Sequence, residues 1–196
     1  MPGINTLDKS IKKLYCQADD SQLLIIDIQS KLTSVMPDKV IQRLVYNTGN
    51  LAQAAGLLSI PVHVSQQYPK GLGTLIPEIA ELLPAGYQQY DKTCFSCAGV
   101  NNLMQEISHN KRNQIIIAGI EAHICVLQTA LDLIEAGYQV YIVNDAVSSR
   151  QRDNYENALG RLQMAGAIIS NSESVIFEWL SDATHPQFRK ISAMIK

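Results

Sequence analysis

Short apolar segments alternate along this chain with longer stretches whose apolar residues recur at helical spacing. The apolar segments are typical of parallel strands that are buried on both faces. Strands that alternate with crossovers of helical length predict a parallel sheet between two layers of helices, an α/β fold. The pattern predicts extended segments at 23–29, 60–65, 90–96, 114–118, 138–143 and 167–170, and helices at 40–56, 77–83, 97–108, 125–136, 154–164 and 172–180, with a last helix after Pro186.

Cys125 lies where the strand at 114–118 and its short turn lead into a helix. Free backbone N–H groups and the positive end of the helix dipole meet at such a position. A thiol there ionises more readily, and the thiolate is the nucleophilic form of cysteine. The sequence therefore predicts a cysteine hydrolase whose nucleophile is Cys125.

Two charged residues have the chemistry that such a nucleophile needs. Asp27 interrupts the first strand, and Lys92 lies in the extended segment 90–96. A carboxylate can take the proton of a thiol, and a nearby cation favours the thiolate. The alternative for Asp27 is a carboxylate that caps the following loop. Backbone N–H groups of Glu121 and Cys125, four residues apart on one tight turn, are candidate donors to a developing oxyanion.

Together these residues resemble the isochorismatase-like hydrolase superfamily, in its cysteine hydrolase branch. The matching segments are 25–29, 91–95, 119–126, 129–132 and 145–150. The resemblance implies a Rossmann-like three-layer α/β/α sandwich with a six-stranded parallel sheet. It places this domain at residues 21–196, after an N-terminal extension at residues 1–20.

The resemblance also implies roles for individual residues. Asp27 would be the general base, Lys92 its charged partner and Cys125 the nucleophile. A cis peptide bond between Ile120 and Glu121 would direct an N–H group at the oxyanion. The implied reaction is hydrolysis of a small amide or related C–N bond through a thioester. The alternative is a member of this fold that acts as a non-catalytic binding or assembly module.

Four residues are candidates for the wall of the substrate pocket, although each could equally be a packing residue. They are Gln29, Gln66, Tyr68 and Phe95.

No catalytic metal or other cofactor is expected. Nicotinamidases, which belong to the same superfamily, carry a metal-binding Asp-x-His-Pro after the second strand, whereas this chain has Gln66-Gln67-Tyr68-Pro69. Amide and phenol groups are poor replacements for carboxylate and imidazole as zinc ligands. The same difference argues against nicotinamide as the substrate.

Two further motifs have simpler explanations. Cys94 and Cys97 form a C-x-x-C pair, but no second pair follows, so chance spacing is favoured over a redox or zinc site. His123 is close to Cys125 in sequence, yet residues two apart at a helix start point to different faces. A histidine of the pocket wall or surface is favoured over a Cys–His dyad.

Composition and charge exclude several classes of protein. The chain has 196 residues, 46% hydrophobic and 17% charged, with a formal net charge of −2. These values indicate a globular protein and make nucleic acid and membranes poor default partners. Four cysteines in a chain of this length do not indicate a disulfide scaffold. We expect a cytoplasmic protein that acts on a small molecule, and the resemblance implies a homo-oligomer, either a dimer or a tetramer.

Overall fold

A single parallel sheet of six strands runs through the computed structural model, which describes residues 14–195. The order of the strands is β3-β2-β1-β4-β5-β6. This order reverses between β1 and β4, and open α/β sheets bind ligands beyond the carboxyl ends of their strands at such a point. The strands are β1 (Ser21–Ile26), β2 (Val62–Gln67), β3 (Gln88–Lys92), β4 (Gln114–Ile120), β5 (Gln139–Ser148) and β6 (Ile168–Ser170).

Helices cover both faces of the sheet, so the predicted three-layer sandwich is confirmed. Alternate residues of β1 point to opposite faces. Leu23 packs in a core with Leu51 of α2 and Val175 of α8, whereas Leu24 packs in a second core with Leu133 of α6. The helices are α1 (Ser30–Thr33), α2 (Asp38–Leu57), α3 (Pro69–Leu72), α4 (Pro77–Ala80), α5 (Asn101–His109), α6 (Leu127–Glu135), α7 (Arg152–Met164), α8 (Ser172–Leu180) and α9 (Phe188–Met194).

The clearest difference from the sequence pattern is the length of β5. The predicted extended segment ends at residue 143, but the strand continues to Ser148. Hydrogen bonds from the helices that follow hold this extension of the strand. The Asn144 carbonyl accepts a hydrogen bond from the Tyr155 hydroxyl, and the Asp145 carboxylate accepts two from Ser172.

The last turn before α6 also differs from the prediction. Residues Ala122–Val126 form a π-helical turn, so that Cys125 lies within this turn and α6 begins at Leu127. Such turns often occur at functional sites.

Residues 1–13 of the predicted N-terminal extension lie outside the described residues. The remainder packs on the domain: the Cys16 N–H donates to Glu178 Oε2 at 2.7 Å, and the Gln17 N–H donates to Gln114 Oε1 at 2.7 Å. The division of the chain at residue 20 stays a prediction. Within residues 14–195, none of the helices has both the length and the apolar character that crossing a bilayer requires.

Candidate active site

A buried ion pair joins the ends of β1 and β3. Lys92 Nζ lies 2.6 Å from Asp27 Oδ2, and both side chains are fully buried. Asp27 directly follows β1, and its φ of 54° turns the chain out of the sheet. Aspartate tolerates this left-handed conformation better than most residues. A buried ion pair is stable only where further hydrogen bonds satisfy both charges.

Neighbouring groups supply those hydrogen bonds. The Ser65 hydroxyl donates to Asp27 Oδ1 at 2.7 Å. Lys92 Nζ donates to Gln67 Oε1 at 2.7 Å and to the Phe95 carbonyl at 3.0 Å. Burial acts to lower the pKa of Lys92, but the negative charge of Asp27 opposes it, and the pKa is raised. The ammonium therefore stays charged at neutral pH.

The Cys125 thiol belongs to the same group of side chains. Burial raises its pKa, the nearby Asp27 carboxylate raises it further, and the charge of Lys92 acts in the opposite direction. The structure thus brings Asp27, Lys92 and Cys125 together. It does not support the expectation that this thiol ionises readily, because removal from water outweighs its place at a helix start.

The turn that carries Cys125 is held by the Glu121 carbonyl. This oxygen accepts hydrogen bonds from the N–H groups of Ile124 at 3.1 Å and Val126 at 3.3 Å. The peptide bond between Ile120 and Glu121 is cis. The N–H groups of Glu121 and Cys125 stay the predicted oxyanion donors.

The ring nitrogens of His123 contact side chains other than that of Cys125. Its Nδ1 lies 2.9 Å from Ser149 Oγ and 3.3 Å from Glu121 Oε2, and its Nε2 lies 3.4 Å from Asn154 Nδ2. The buried Glu121 carboxylate also accepts the Arg150 backbone N–H at 3.2 Å and lies 3.3 Å from Arg150 Nη1. His123 is therefore not positioned as the base for Cys125.

The two predicted pocket residues Gln29 and Gln66 are buried and hold nearby backbone. Gln29 Oε1 accepts the Gln67 N–H at 2.7 Å, and Gln66 Oε1 accepts the Leu75 N–H at 2.6 Å. Gln66 Nε2 also donates to Asp91 Oδ1 at 3.1 Å. These hydrogen bonds fix the segment after β2 that surrounds Lys92.

The other two predicted pocket residues, Tyr68 and Phe95, are 54% and 52% exposed. The backbone of each residue is hydrogen-bonded to Lys92. The Tyr68 N–H donates to the Lys92 carbonyl at 2.8 Å, and the Phe95 carbonyl accepts from Lys92 Nζ. Of the four predicted pocket residues, these two aromatic rings can meet a molecule that arrives from solvent.

Three neighbours of the charged pair were not predicted from the sequence. One is Gln67, whose Oε1 accepts a hydrogen bond from Lys92 Nζ. Ser65 lies beside Ile26 in the sheet register, and its place at the end of the predicted strand 60–65 was the signal that could have identified it. Cys97 is buried, and its N–H donates to Thr129 Oγ1 at 2.9 Å. Burial and the charge of Asp27 raise the pKa of the Cys97 thiol to about 11, against the opposing charge of Lys92. The sequence alone gave this thiol no role.

Among residues 14–195, no three His, Cys, Asp or Glu side chains are grouped so that they could hold a metal ion. At the position of the nicotinamidase ligands, the Gln66 side chain is occupied by hydrogen bonds to Leu75 and Asp91.

Comparison with known proteins gives the family of the chain. A model of the isochorismatase domain matches residues 21–174. The chain belongs to the isochorismatase family. Membership of this family suggests a hydrolase.

Several relatives of this isochorismatase-family chain are similar over most of their length. Isochorismatase domain-containing protein 2 from Bos taurus is 39% identical over 90% of this chain and 83% of its own. The secreted isochorismatase effector Isc1 from Phytophthora sojae is 38% identical over 100% of this chain and 93% of its own. A solved structure described as MAR1 ribonuclease from Caenorhabditis elegans is 36% identical, with a TM-score of 0.86 and 92% of each chain covered.

Proposed function

We propose that this isochorismatase-family chain hydrolyses a small amide or a related C–N bond through a thioester on Cys125. The observation that carries the proposal is a buried carboxylate–ammonium pair, with Lys92 Nζ 2.6 Å from Asp27 Oδ2, that lies close enough to the Cys125 thiol for both charges to act on its pKa. A nucleophile beside its base, with a third group that orients the base, is the arrangement that nucleophilic catalysis needs.

The steps follow from the positions of these groups. Asp27 takes the proton of the Cys125 thiol while the sulfur attacks the carbonyl carbon, and backbone N–H groups of Glu121 and Cys125 bind the oxyanion. The protonated Asp27 then gives its proton to the leaving amine as the C–N bond breaks. Water, deprotonated by Asp27, next attacks the thioester and releases the acid and the free thiol. Lys92 stays charged and holds the carboxylate.

The raised pKa of Cys125 favours these reaction steps over attack by a thiolate that already exists before the substrate binds. With its pKa raised, the Cys125 thiol stays neutral until the sulfur attacks a bound carbonyl and Asp27 takes the proton. Because Cys125 is 6% exposed, only a small group reaches the sulfur without moving its neighbours. The predicted substrate is accordingly a small molecule.

Replacement of Cys125 tests the proposal. A panel of small amides and ureas is assayed with the native protein, Cys125→Ala and Cys94→Ala, the last removing an exposed thiol as a matched control. For any substrate found, we expect Cys125→Ala to lower kcat/KM by about 10⁴-fold or more, as for other nucleophiles that act within a triad. Cys94→Ala should keep the native rate. Turnover that persists in Cys125→Ala would refute the proposal.

Two other activities give different results when RNA is added to this panel. A non-catalytic module would turn over nothing in the panel and would bind its partner equally well after Cys125→Ala. A ribonuclease, the activity named for the Caenorhabditis elegans neighbour, would degrade RNA. The net charge of −2 disfavours the latter, since RNA binding relies on basic surface.

We also propose that the protein is a homo-oligomer, dimer or tetramer, and that it acts in the cytoplasm. Large apolar side chains at Val35, Tyr46 and Met164 are exposed, and all four cysteines are free, as in a reducing compartment. The relative from Phytophthora sojae is named a secreted effector, so cell fractionation is the test of location. A mass of 21.6 kDa by light scattering at micromolar concentration would exclude the oligomer.

A further inference from the structure

A cavity of about 450 Å³ lies between the start of α2 and the segment that joins β5 to α7. Its volume falls in the range of small-molecule sites. Asp27, Lys92 and Cys125 do not line it, so it is separate from the proposed catalytic group.

The charge of this cavity is opposite to that of the chain as a whole. Four cationic side chains and one carboxylate line it, although the chain carries a formal net charge of −2. The single carboxylate, Glu156, is already paired with Arg152 Nε at 2.6 Å. In the part of the chain that the structure describes, neither Lys39 nor Arg43 forms an ion pair. Lys39 and Arg43 therefore give the cavity positive charge that no ion pair of the described residues neutralises.

Two helix starts add to this positive potential. The first turn of α2 contributes Lys39 and Val40 to the lining, and the first turn of α7 contributes Arg152. No side-chain hydrogen bond caps either start, at Pro37 or at Gln151. The N-terminal ends of helices favour anions. Each first turn also carries an aspartate, but neither aspartate lines the cavity.

The rest of the lining is apolar or hydroxylic. Pro37, Val40 and the half-buried ring of Tyr155 give one apolar wall. Ser148 and Ser149 form a buried part of the wall, and the Ser149 hydroxyl lies 2.9 Å from His123 Nδ1. A ligand that satisfies both parts has an anionic end and an organic body.

We propose that this cavity binds an organic phosphomonoester. Lys39 and Arg43 supply the cations that lack protein partners, and the guanidinium groups of Arg43, Arg150 and Arg152 match phosphate oxygens as forked donors. A dianionic head gives these groups more charge to pair with than a single carboxylate does. The organic body of the ligand lies against Val40 and Tyr155.

The cavity is connected to the turn of Cys125 through one residue. Arg150 lines the cavity and also bonds the Glu121 carboxylate through its backbone N–H and Nη1. A phosphate group at Arg150 would compete with Glu121 for that guanidinium. The binding test below does not depend on this connection or on catalysis at Cys125.

Isothermal titration calorimetry with phenyl phosphate tests the proposal, with inorganic phosphate and benzyl alcohol as probes for the two halves of the ligand. We expect saturable binding of phenyl phosphate with one site per chain, weaker binding of inorganic phosphate and no binding of benzyl alcohol. Binding should weaken at high salt. Absence of saturable binding by phenyl phosphate would overturn the proposal.

Matched charge variants identify the site. In Lys39→Gln/Arg43→Gln, we expect affinity for phenyl phosphate to fall about tenfold or more, since hydrogen bonds to charged groups contribute that much. Arg161→Gln/Arg189→Gln removes the same charge from exposed positions elsewhere and should keep the native affinity. An equal loss in both double variants would show a general charge effect and refute the site.

Amide chemical shifts in the native protein provide a measurement that does not depend on the variants folding. Phenyl phosphate should shift the amides of 39–43 and 148–152 in a saturable manner. Shifts confined to other segments would place the ligand elsewhere and contradict the proposal.

Discussion

At the scale of single residues, the four cysteines differ sharply in their contact with water. Cys94 is exposed, whereas Cys16, Cys97 and Cys125 are buried. Burial raises the pKa of each of the three buried thiols, for Cys97 to about 11. Alkylation requires both the thiolate and access to it.

These differences predict the order in which iodoacetamide reacts. At pH 7 and without substrate, we expect Cys94 to be labelled first and the three buried cysteines to be labelled at least about tenfold more slowly, since reaction follows the thiolate fraction and exposure. Peptide mass spectrometry after timed quenching measures the rates. In Cys94→Ser, the first fast phase should disappear. Labelling of Cys125 as fast as Cys94 would indicate a preformed thiolate and contradict the general-base steps proposed above.

At the scale of elements, the approach of β4 to β1 depends on Gly119. Its φ is 138°, and a Cβ at this position would collide with the carbonyl oxygen of Ile26, the residue before Asp27. The close contact between the two strand ends sets where Asp27 lies relative to the turn of Cys125. Only glycine combines this φ with this approach.

Gly119→Ala should therefore lower the stability and displace the site. We expect a loss of about 1–3 kcal/mol from the backbone conformation alone, with the collision adding to it. Urea unfolding measures the loss. Gly160→Ala is a matched control inside α7, where a Cβ meets nothing within 4 Å. This control should stabilise the protein by about 0.5–1 kcal/mol, because alanine favours helix. Equal stability of Gly119→Ala and the native protein would contradict the argument.

At the scale of the whole molecule, His63 links stability to pH. Its ring is buried in β2, with Nε2 3.1 Å from Gln22 Oε1 in β1, and the same oxygen accepts from Asn110 Nδ2 at 2.8 Å. Burial lowers the pKa of His63 to about 4. Between pH 6.5 and 4 the unfolded chain thus binds a proton that the folded chain does not, and stability falls as pH falls through this window.

The free energy of unfolding should decrease by up to about 3 kcal/mol between pH 6.5 and pH 4 from this residue, since one pKa unit corresponds to about 1.4 kcal/mol. Urea titrations at a series of pH values measure this dependence. His63→Gln keeps a polar group beside Gln22 but cannot titrate, so it should lose this part of the pH dependence. A variant with the same slope as the native protein would show that other groups are responsible.

The sequence by itself determined the fold class and the positions of the chemical groups. Buried parallel strands such as β1 and β4 form continuous apolar runs, and the charged residues that interrupt or follow them are conspicuous. The sequence therefore predicted a catalytic group of Asp27, Lys92 and Cys125, three positions at the ends of elements that the structure brings together. It misjudged the end of β5, because Asn144 and Asp145 resemble a loop until Tyr155 and Ser172 supply their partners.

Only the tertiary structure decided the environment of these groups. Ser65, Gln67 and Cys97 join the charged pair because strands and turns distant in sequence meet beyond one edge of the sheet, which no local pattern reports. The raised pKa of Cys125 likewise depends on how completely neighbouring elements exclude water, a property of packing. The cationic cavity is a third such feature, since it combines the starts of α2 and α7, two helices separated by almost a hundred residues of chain. Local sequence fixes which groups are present, whereas packing fixes their distances and solvation.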